Sequence, residues 1–548
     1  MENYANSSNE SVAEEILREQ SEMEGVRSTF DSHYEEIAER MFPQHKGSFQ
    51  NKGEGTQGEK RNDFVFDSTA AIALGRFAAI LDSLLTPASQ TWHRLVPSLP
   101  SLRKDRSVKL WFEEANQALF KYRYAPRANF VSQNQQDYKS LGAYGTASLY
   151  IDKPKDEKGL IYRSIHLAEF YIKQNFQGMV DTQHRKFQMS ARQCAQRWGA
   201  GKLPERIKEA LEKQPEKKFW FVHCVRPRHD RDLKRVDYKG MPFANYVVSV
   251  EEKKLMEEGG FNVFPYATSR NEQAPGEDYG RSPAMDILPA NKTLNEMKKT
   301  MLKHGHRAVD PIYLMADDGV MDVFSAKPGA MVSGGMSADG RKLVDTLPVG
   351  NLAIGKDLMD DERQVINDAF LVTLFQILVE SPTMTATEVL ERTKEKGILL
   401  APTVGRQRSE RNGPMIDREI DLLMQQNLLA PMPPALREAQ GEYRIEYDSL
   451  LSRTQRAEEA AGLMRTLEMA LQAVNVTQNP EPMDHFNWDI ILPEVSDIQG
   501  VPARWMRSME QVAAIREGRG QQQEMQQMAQ VAPGAAALIK STAMARKV

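Results

Sequence analysis

Two apolar-striped helical stretches enclose a dense run of turn signals between residues 287 and 380, and no other feature constrains the fold as much. Pro289 suits the first turn of a helix, where its missing N–H costs nothing. Ile287, Leu294, Met297 and Met301 lie at spacings of 7, 3 and 4, with Lys292, Asn295, Lys298, Lys299 and Lys303 interspersed. That spacing predicts an amphipathic helix ending near Arg307. Residues 309–356 then carry Asp310-Pro311, Asp317-Asp318-Gly319, Lys327-Pro328-Gly329, Gly334-Gly335 and Asp339-Gly340, which predicts a small turn-rich β module. A second helix is expected over 357–380, from the pairs Val365/Ile366, Ala369/Phe370 and Ile377/Leu378 with Leu374 between the last two. Two helices of about 20 residues, each about 30 Å long, can lie antiparallel with the insert at their tip.

The rest of the chain divides by pattern. Residues 1–45 read as a Glu- and Arg-rich helix, and 46–63 as a polar, Gly-rich loop. From Ser68 to Leu85 almost every residue is apolar or small, so that helix is buried on most faces until Pro87 ends it. Residues 105–140 are helical, with Trp111, Phe112, Leu119 and Phe120. Thr146–Asp152, Leu160–Phe176, Phe219–Arg226 and Asn245–Val250 are strand-like, with helices at Ser190–Trp198 and Pro204–Lys213 between them. Pro265–Ser282 reads as a loop dense in Pro, Gly and Asn. Thr385-x-x-Glu388 opens a further helix as a capping box. Gly397–Gly413 reads as a loop or broken helix, Met415–Leu428 as helix and Tyr443–Tyr447 as a short strand. From Ser452 the chain is helical, with a low-complexity stretch at Gln521–Gln530. There is no internal repeat. The fold class is α+β, mostly helical.

Charge and cysteine content exclude several classes. Lys and Arg number 71 against 75 Asp and Glu, a net charge of −4. A histone-like coat for nucleic acid needs a net positive surface. Two cysteines, Cys194 and Cys224, exclude a disulfide scaffold and a Cys-rich zinc module. The N-terminus has neither the basic region nor the apolar core of a signal peptide. The longest apolar run, 369–379, is too short to span a bilayer. These features point to a cytosolic protein that uses no membrane.

No catalytic, cofactor or metal motif emerges. Gly53-x-Gly55-x-x-Gly58 has a polar run where a dinucleotide site needs a strand. Gly335–Lys342 lacks the Gly-Lys-Ser/Thr ending of a phosphate loop. His304 and His306 fall on different helix faces. Arg406, Arg408 and Arg411 could touch phosphates or, with Glu410 among them, form a solvated loop.

Several segments, in order, resemble the head-to-tail connecting (portal) proteins of short-tailed bacteriophages. They are Phe66-Asp67-Ser68-Thr69-Ala70; Leu141-Gly142-Ala143-Tyr144-Gly145-Thr146-Ala147; Tyr279-Gly280-Arg281-Ser282-Pro283-Ala284-Met285; and Lys292-Thr293-Leu294-Asn295. Met384–Glu388, Glu446-Tyr447 with Ser452–Arg456, and Gly500–Ala503 with Ile515-Arg516 complete the series. The resemblance implies a ring, twelve-fold in the family, around a channel for double-stranded DNA. It implies a wing (1–288), a stem helix (289–308), a clip (309–356), a second stem helix (357–380), a wing return (381–432) and a crown (433–548). The stem would pack through Leu294, Met297, Met301, Val365, Ile366 and Phe370. A tunnel loop would present Lys394, Lys396, Arg406, Arg408 and Arg411 to the DNA without reading its sequence. Partners implied are further copies of the chain, the large terminase subunit, tail adaptor and tail proteins, and capsid and scaffolding proteins. The location implied is the virion's portal vertex, after assembly in host cytoplasm. No enzyme activity or cofactor is implied. The competing classes are a metal-dependent nucleic-acid-processing enzyme and a cytosolic helical adaptor.

Overall fold

The computed structural model describes residues 2–43, 65–315, 336–347 except 338, 352–373, 401–447, 450–478, 481–499, 503–507 and 511–523, with positions 49, 63, 331 and 501. Along the chain run α1 (Glu2–Met41), α2 (Thr69–Leu85), β1 (His93–Pro97), α3 (Arg106–Arg123), α4 (Phe130–Tyr144), β2 (Thr146–Asp152), β3 (Ile161–Ile165) and β4 (Phe170–Gln174). Then come β5 (Val180–Ser190), α5 (Ala191–Trp198), α6 (Glu205–Lys213), β6 (Lys218–Pro227), β7 (Phe243–Ser249), β8 (Lys254–Phe261) and β9 (Tyr266–Arg270). The remainder is α7 (Pro283–Asp286), α8 (Leu288–Val309), β10 (Tyr313–Met315), β11 (Val344–Thr346), α9 (Leu352–Ala369), α10 (Gly413–Gln425), α11 (Pro434–Glu438), β12 (Tyr443–Tyr447), α12 (Leu450–Thr477) and α13 (Trp488–Gln499). No described helix is long and apolar enough to cross a membrane.

Residues 1–89 and 122–426 form one compact unit; 90–121 and 427–548 form another. In the first unit β4 to β8 make a five-stranded antiparallel meander, and β3-β2-β9 a three-stranded antiparallel sheet. Alternation along the meander gives each face its own cover. Phe219 and Phe221 of β6 and Val247 of β7 pack with Ile207 of α6 and Cys194 of α5. Val222, Cys224, Ala244 and Val248, pointing the other way, pack against Ala13 and Ile16 of α1. Ser190 starts α5 with a full capping box, exchanging hydrogen bonds with Gln193.

The main core lies between α1, α2, α4, the small sheet and α8–α9. The small-residue run of α2 buries Ala70, Ala73, Leu74, Phe77, Ala78, Leu81 and Leu85. Small residues let helices approach closely. A Cβ on Gly142 of α4 would lie 2.7 Å from Phe77 Cδ1. In the second unit β1 pairs antiparallel with β12, Leu95 opposite Ile445. Trp111 of α3 donates its indole N–H to Ala430 O at 2.8 Å.

Two expectations need correction, and a third is decided between its two alternatives. The expected 265–282 loop opens with a strand, β9, which pairs with β2 along its whole length. The expected second helix of the insert starts earlier, at Leu352, and stops at Ala369 rather than Glu380; Leu371 turns to φ 60° and 374–400 lie outside the described residues. Gly397–Gly413, expected as a loop or broken helix, takes the second form where it is described: 401–412 is helical and runs through a π turn at Arg408–Asn412 into α10. Residues 46–48 and 50–62, and the capping box at Thr385–Glu388, lie outside the described residues.

Candidate functional site

Four of the quoted segments, far apart in sequence, meet at the root of the α8–α9 pair. Asn295 is buried in α8, and its Oδ1 accepts the backbone N–H groups of Phe66 (2.8 Å) and Asp67 (3.0 Å). Its amide nitrogen donates to Asn291 O and Oδ1, so the side chain is fixed at both ends. Asp67 Oδ1 accepts from the N–H and hydroxyl of Thr69, holding the first turn of α2. Asp67 Oδ2 takes Arg363 of α9 at 2.7 Å. Burial opposes ionisation of Asp67, but Thr69 and Arg363 outweigh it and hold the carboxyl below its ordinary range. One carboxylate and one amide thus tie α2, α8 and α9 together.

A second junction joins 141–147 to 279–285. Gly145 ends α4 at φ +75°, and a Cβ there would sit 2.4 Å from Gly280 O. A Cβ on Gly280 would sit 2.2 Å from Gly145 O. The two backbones touch where no side chain fits. Thr146 Oγ1 accepts from Gly280 N at 2.8 Å, and Ser282 Oγ donates to Ala143 O at 2.8 Å. Tyr279, fully buried, accepts Ile172 N at its hydroxyl. This clasp fixes the point from which α7 and α8 leave the body.

The residues expected to pack the stem fall in two groups. Leu294, Ile366 and Phe370 are buried in the main core, and Met297 and Met301 pack against it. Phe370, one residue beyond α9, meets Phe77 edge-on at 5.9 Å between centroids. Met301 Sδ lies 2.8 Å from where a Cβ on Gly355 would be, so that glycine lets the helices close together. Val365 is not in this seam; it is 52% exposed. Leu302 and Leu358 are exposed as well.

The expected basic loop is divided by the fold. Lys394 and Lys396 lie outside the described residues. Arg406 is half-buried with Nη1 3.4 Å from Gln273 Oε1, and Arg408 is half-buried too. Arg411 is fully buried: Nε pairs with Asp137 Oδ2 at 2.8 Å, and Nη1 donates to Tyr138 and Asn412 while Nη2 donates to Asn134. Burial works against its charge, but the Tyr138 and Asp137 oxygens raise its pKa overall. Glu410, the interleaved acid, pairs with Arg270 at 2.9 Å, and Gln407 donates to Arg270 O. The segment therefore clamps α4 to β9.

Further buried ion pairs carry no sequence signal. Arg123 binds Glu419 through Nε and Nη2, and Tyr162 donates to the same carboxylate at 2.7 Å. Arg27 of α1 pairs with Asp31 and donates to Leu167 O and Phe170 O. An arginine's surroundings depend on tertiary neighbours, so only the fold reveals these. Among the described residues one group gathers metal-ligand types away from these junctions: Glu19, His184 and Cys224.

Comparison with known proteins gives a consistent result. A family described as "Bacteriophage head to tail connecting protein" matches residues 13–507. The chain is 28% identical over 523 residues to a "Probable portal protein" of Bordetella phage BPP-1, covering 94% of this chain and 92% of that one. It is 26% identical over 530 residues to a "Portal protein" of Salmonella phage epsilon15, covering 94% and 93% respectively.

Proposed function

Since the chain belongs to the bacteriophage head-to-tail connecting protein family, we propose that it is a portal protein, a structural component and not an enzyme. Copies of the chain, twelve as in the family, would close a ring at one capsid vertex. Double-stranded DNA would pass through the ring during packaging and ejection. The observation that carries this reading is the α8–α9 pair, tied at its root to α2 and flanking the residues that hold the β10–β11 ladder. In this reading α8 and α9 belong to the stem, the residues between them to the clip and 433–548 to the crown. Residues 1–288 and 381–432 form the wing. The clip would dock the large terminase subunit during packaging and the tail adaptor afterwards. Capsid and scaffolding proteins would meet the wing.

Exposed apolar side chains support assembly. Leu302, Leu358 and Val365 on the helix pair, and Met464, Met469 and Leu471 on α12, face solvent in the single subunit. Apolar surface left by one chain is the usual material of a subunit interface. Lys394, Lys396, Arg406 and Arg408 would meet phosphates in the channel, and Arg411 would brace that segment from behind. A few cations in an overall acidic protein allow contact without a fixed grip.

Native mass spectrometry with negative-stain imaging of the purified chain tests the reading. A ring of twelve copies of 62.1 kDa, about 745 kDa, is expected. Failure to form any ring at high concentration and in the presence of capsid partners would overturn it. In assembled particles, neutralising Lys394, Lys396, Arg406 and Arg408 together is expected to reduce DNA packaging or retention. Unchanged packaging would remove the channel role of these four.

A further inference from the structure

Where α1 crosses the five-stranded meander, three ligand-type side chains converge. His184 on β5 and Cys224 on β6 are direct cross-strand partners. Glu19 comes down from α1, and one ligand atom from each of the three lies within 4.8 Å of the others. His184 and Cys224 are fully buried.

Hydrogen bonds around the imidazole leave one nitrogen bare. Gln20 Nε2 donates to Glu24 Oε1 at 2.9 Å, so the oxygen of that amide faces His184 Nδ1, at 3.2 Å. An oxygen can only accept, so the proton of the neutral ring sits on Nδ1. Nε2 then offers a lone pair in a buried place and has no hydrogen-bond partner among the described residues. Glu19 Oε2 lies 3.5 Å from it, an acceptor facing an acceptor. Two acceptors brought together there need an electrophile between them, a proton or a metal ion. Tetrahedral bonds of about 2.0–2.1 Å to nitrogen and oxygen would place those two atoms about 3.3–3.4 Å apart. An Nδ1–H held by a carbonyl oxygen is also the arrangement that orients metal-ligating histidines.

Charge is compatible with a dication. Arg226 bonds Glu15 and Glu19, and Lys173 reaches Glu19 and Glu22. Three carboxylates against two cations leave one negative charge. A divalent ion with a thiolate adds one positive charge and brings the group to neutrality.

We propose that Glu19, His184 and Cys224 form a structural site for one zinc-type divalent ion, pinning α1 to the sheet. On binding, the Cys224 S–H bond breaks, its proton leaves to solvent water, and a metal–sulfur bond forms. His184 Nε2 and a Glu19 oxygen supply the other protein ligands. Sulfur, imidazole and carboxylate together favour zinc over magnesium or calcium. This inference does not depend on the portal reading.

Cobalt(II) titration of the full chain, first stripped with a chelator, tests it. Expected is one ion per chain, tighter than about 10 μM, with a thiolate-to-cobalt charge-transfer band. Cys194→Ser should keep the band, Cys224→Ser should lose it, and His184→Gln should weaken binding at least about tenfold. Zinc should raise Tm in the wild type and not in Cys224→Ser. No charge-transfer band in the wild type overturns the proposal, even if a variant fails to fold. So does a band that survives both Cys224→Ser and His184→Gln. Either result would assign the facing nitrogen and carboxylate to a shared proton.

Discussion

Arg411 and Arg406 are five positions apart in one helical segment, yet the fold gives them opposite consequences. Removing Arg411 strands Asp137 in the interior and leaves Asn134 and Tyr138 without their donor. Arg411→Ala is expected to cost about 3–5 kcal/mol, as for other broken buried pairs. Arg406→Ala should stay within about 0.5 kcal/mol. Urea unfolding of both variants checks the contrast, and equal losses would refute it. Asp67 gives a pH signature. Its folded pKa lies below the ordinary 3.8, so its stabilisation is complete above that value and disappears as pH falls through the depressed one. Asp67→Asn should therefore cost about 1 kcal/mol at neutral pH, and the gap to wild type should close in acid. A gap that widened on acidification would count against the Asp67–Arg363 link.

At the scale of elements, legibility followed how directly local pattern and tertiary packing agreed. α8 was readable because its stripe of Leu294, Met297 and Met301 is the face it buries or half-buries. β9 was not, because Tyr266–Arg270 buries polar residues, and Thr268 finds its partners only on other strands: its Oγ1 bonds Ser148 Oγ of β2 and Gln183 Oε1 of β5. β8, with Glu257, Glu258, Gly259 and Gly260, is an edge strand whose composition says loop. The helix through Gly413-Pro414 was hidden by residues that normally break one. Pro414 offers no N–H and crowds the carbonyl four residues back. The chain absorbs this with a π turn, Gly413 N reaching Arg408 O. Packing of α2 against α4 makes its own prediction. Gly142→Ala should cost about 1–3 kcal/mol by crowding Phe77. Phe77→Ala should cost about 3–5 kcal/mol. The double variant should lose clearly less than the two together, because the new methyl enters the new cavity. Strict additivity in a thermal double-mutant cycle would contradict that contact.

For the whole molecule, the seam of the helix pair and its outward face have separable roles. Val365 lies outside the seam, so Val365→Glu should leave the isolated subunit's stability within about 0.5 kcal/mol. The same change should reduce the fraction that assembles, read by light scattering at matched concentrations. Full assembly would show that this face is not an interface. The quoted segments were legible as an ordered set, but their purpose was not. Asp67, Asn295 and Arg363 meet only after the chain has returned on itself twice, and no periodicity encodes such a meeting. The Glu19–His184–Cys224 group was invisible for the same reason, its members lying on a helix and two strands.

The touching backbones at Gly145 and Gly280 bear on how far such a chain can drift. Most contacts in a core can be renegotiated, one side chain shrinking as its neighbour grows. Here neither partner has anything to give up, so no second change elsewhere can compensate a gain at either position. A lineage can replace nearly every side chain around the clasp and still be held to these two empty places. In remote sequences too divergent to align elsewhere, a glycine ending the helix before the small sheet and a second one shortly before the long helix would mark the same clasp.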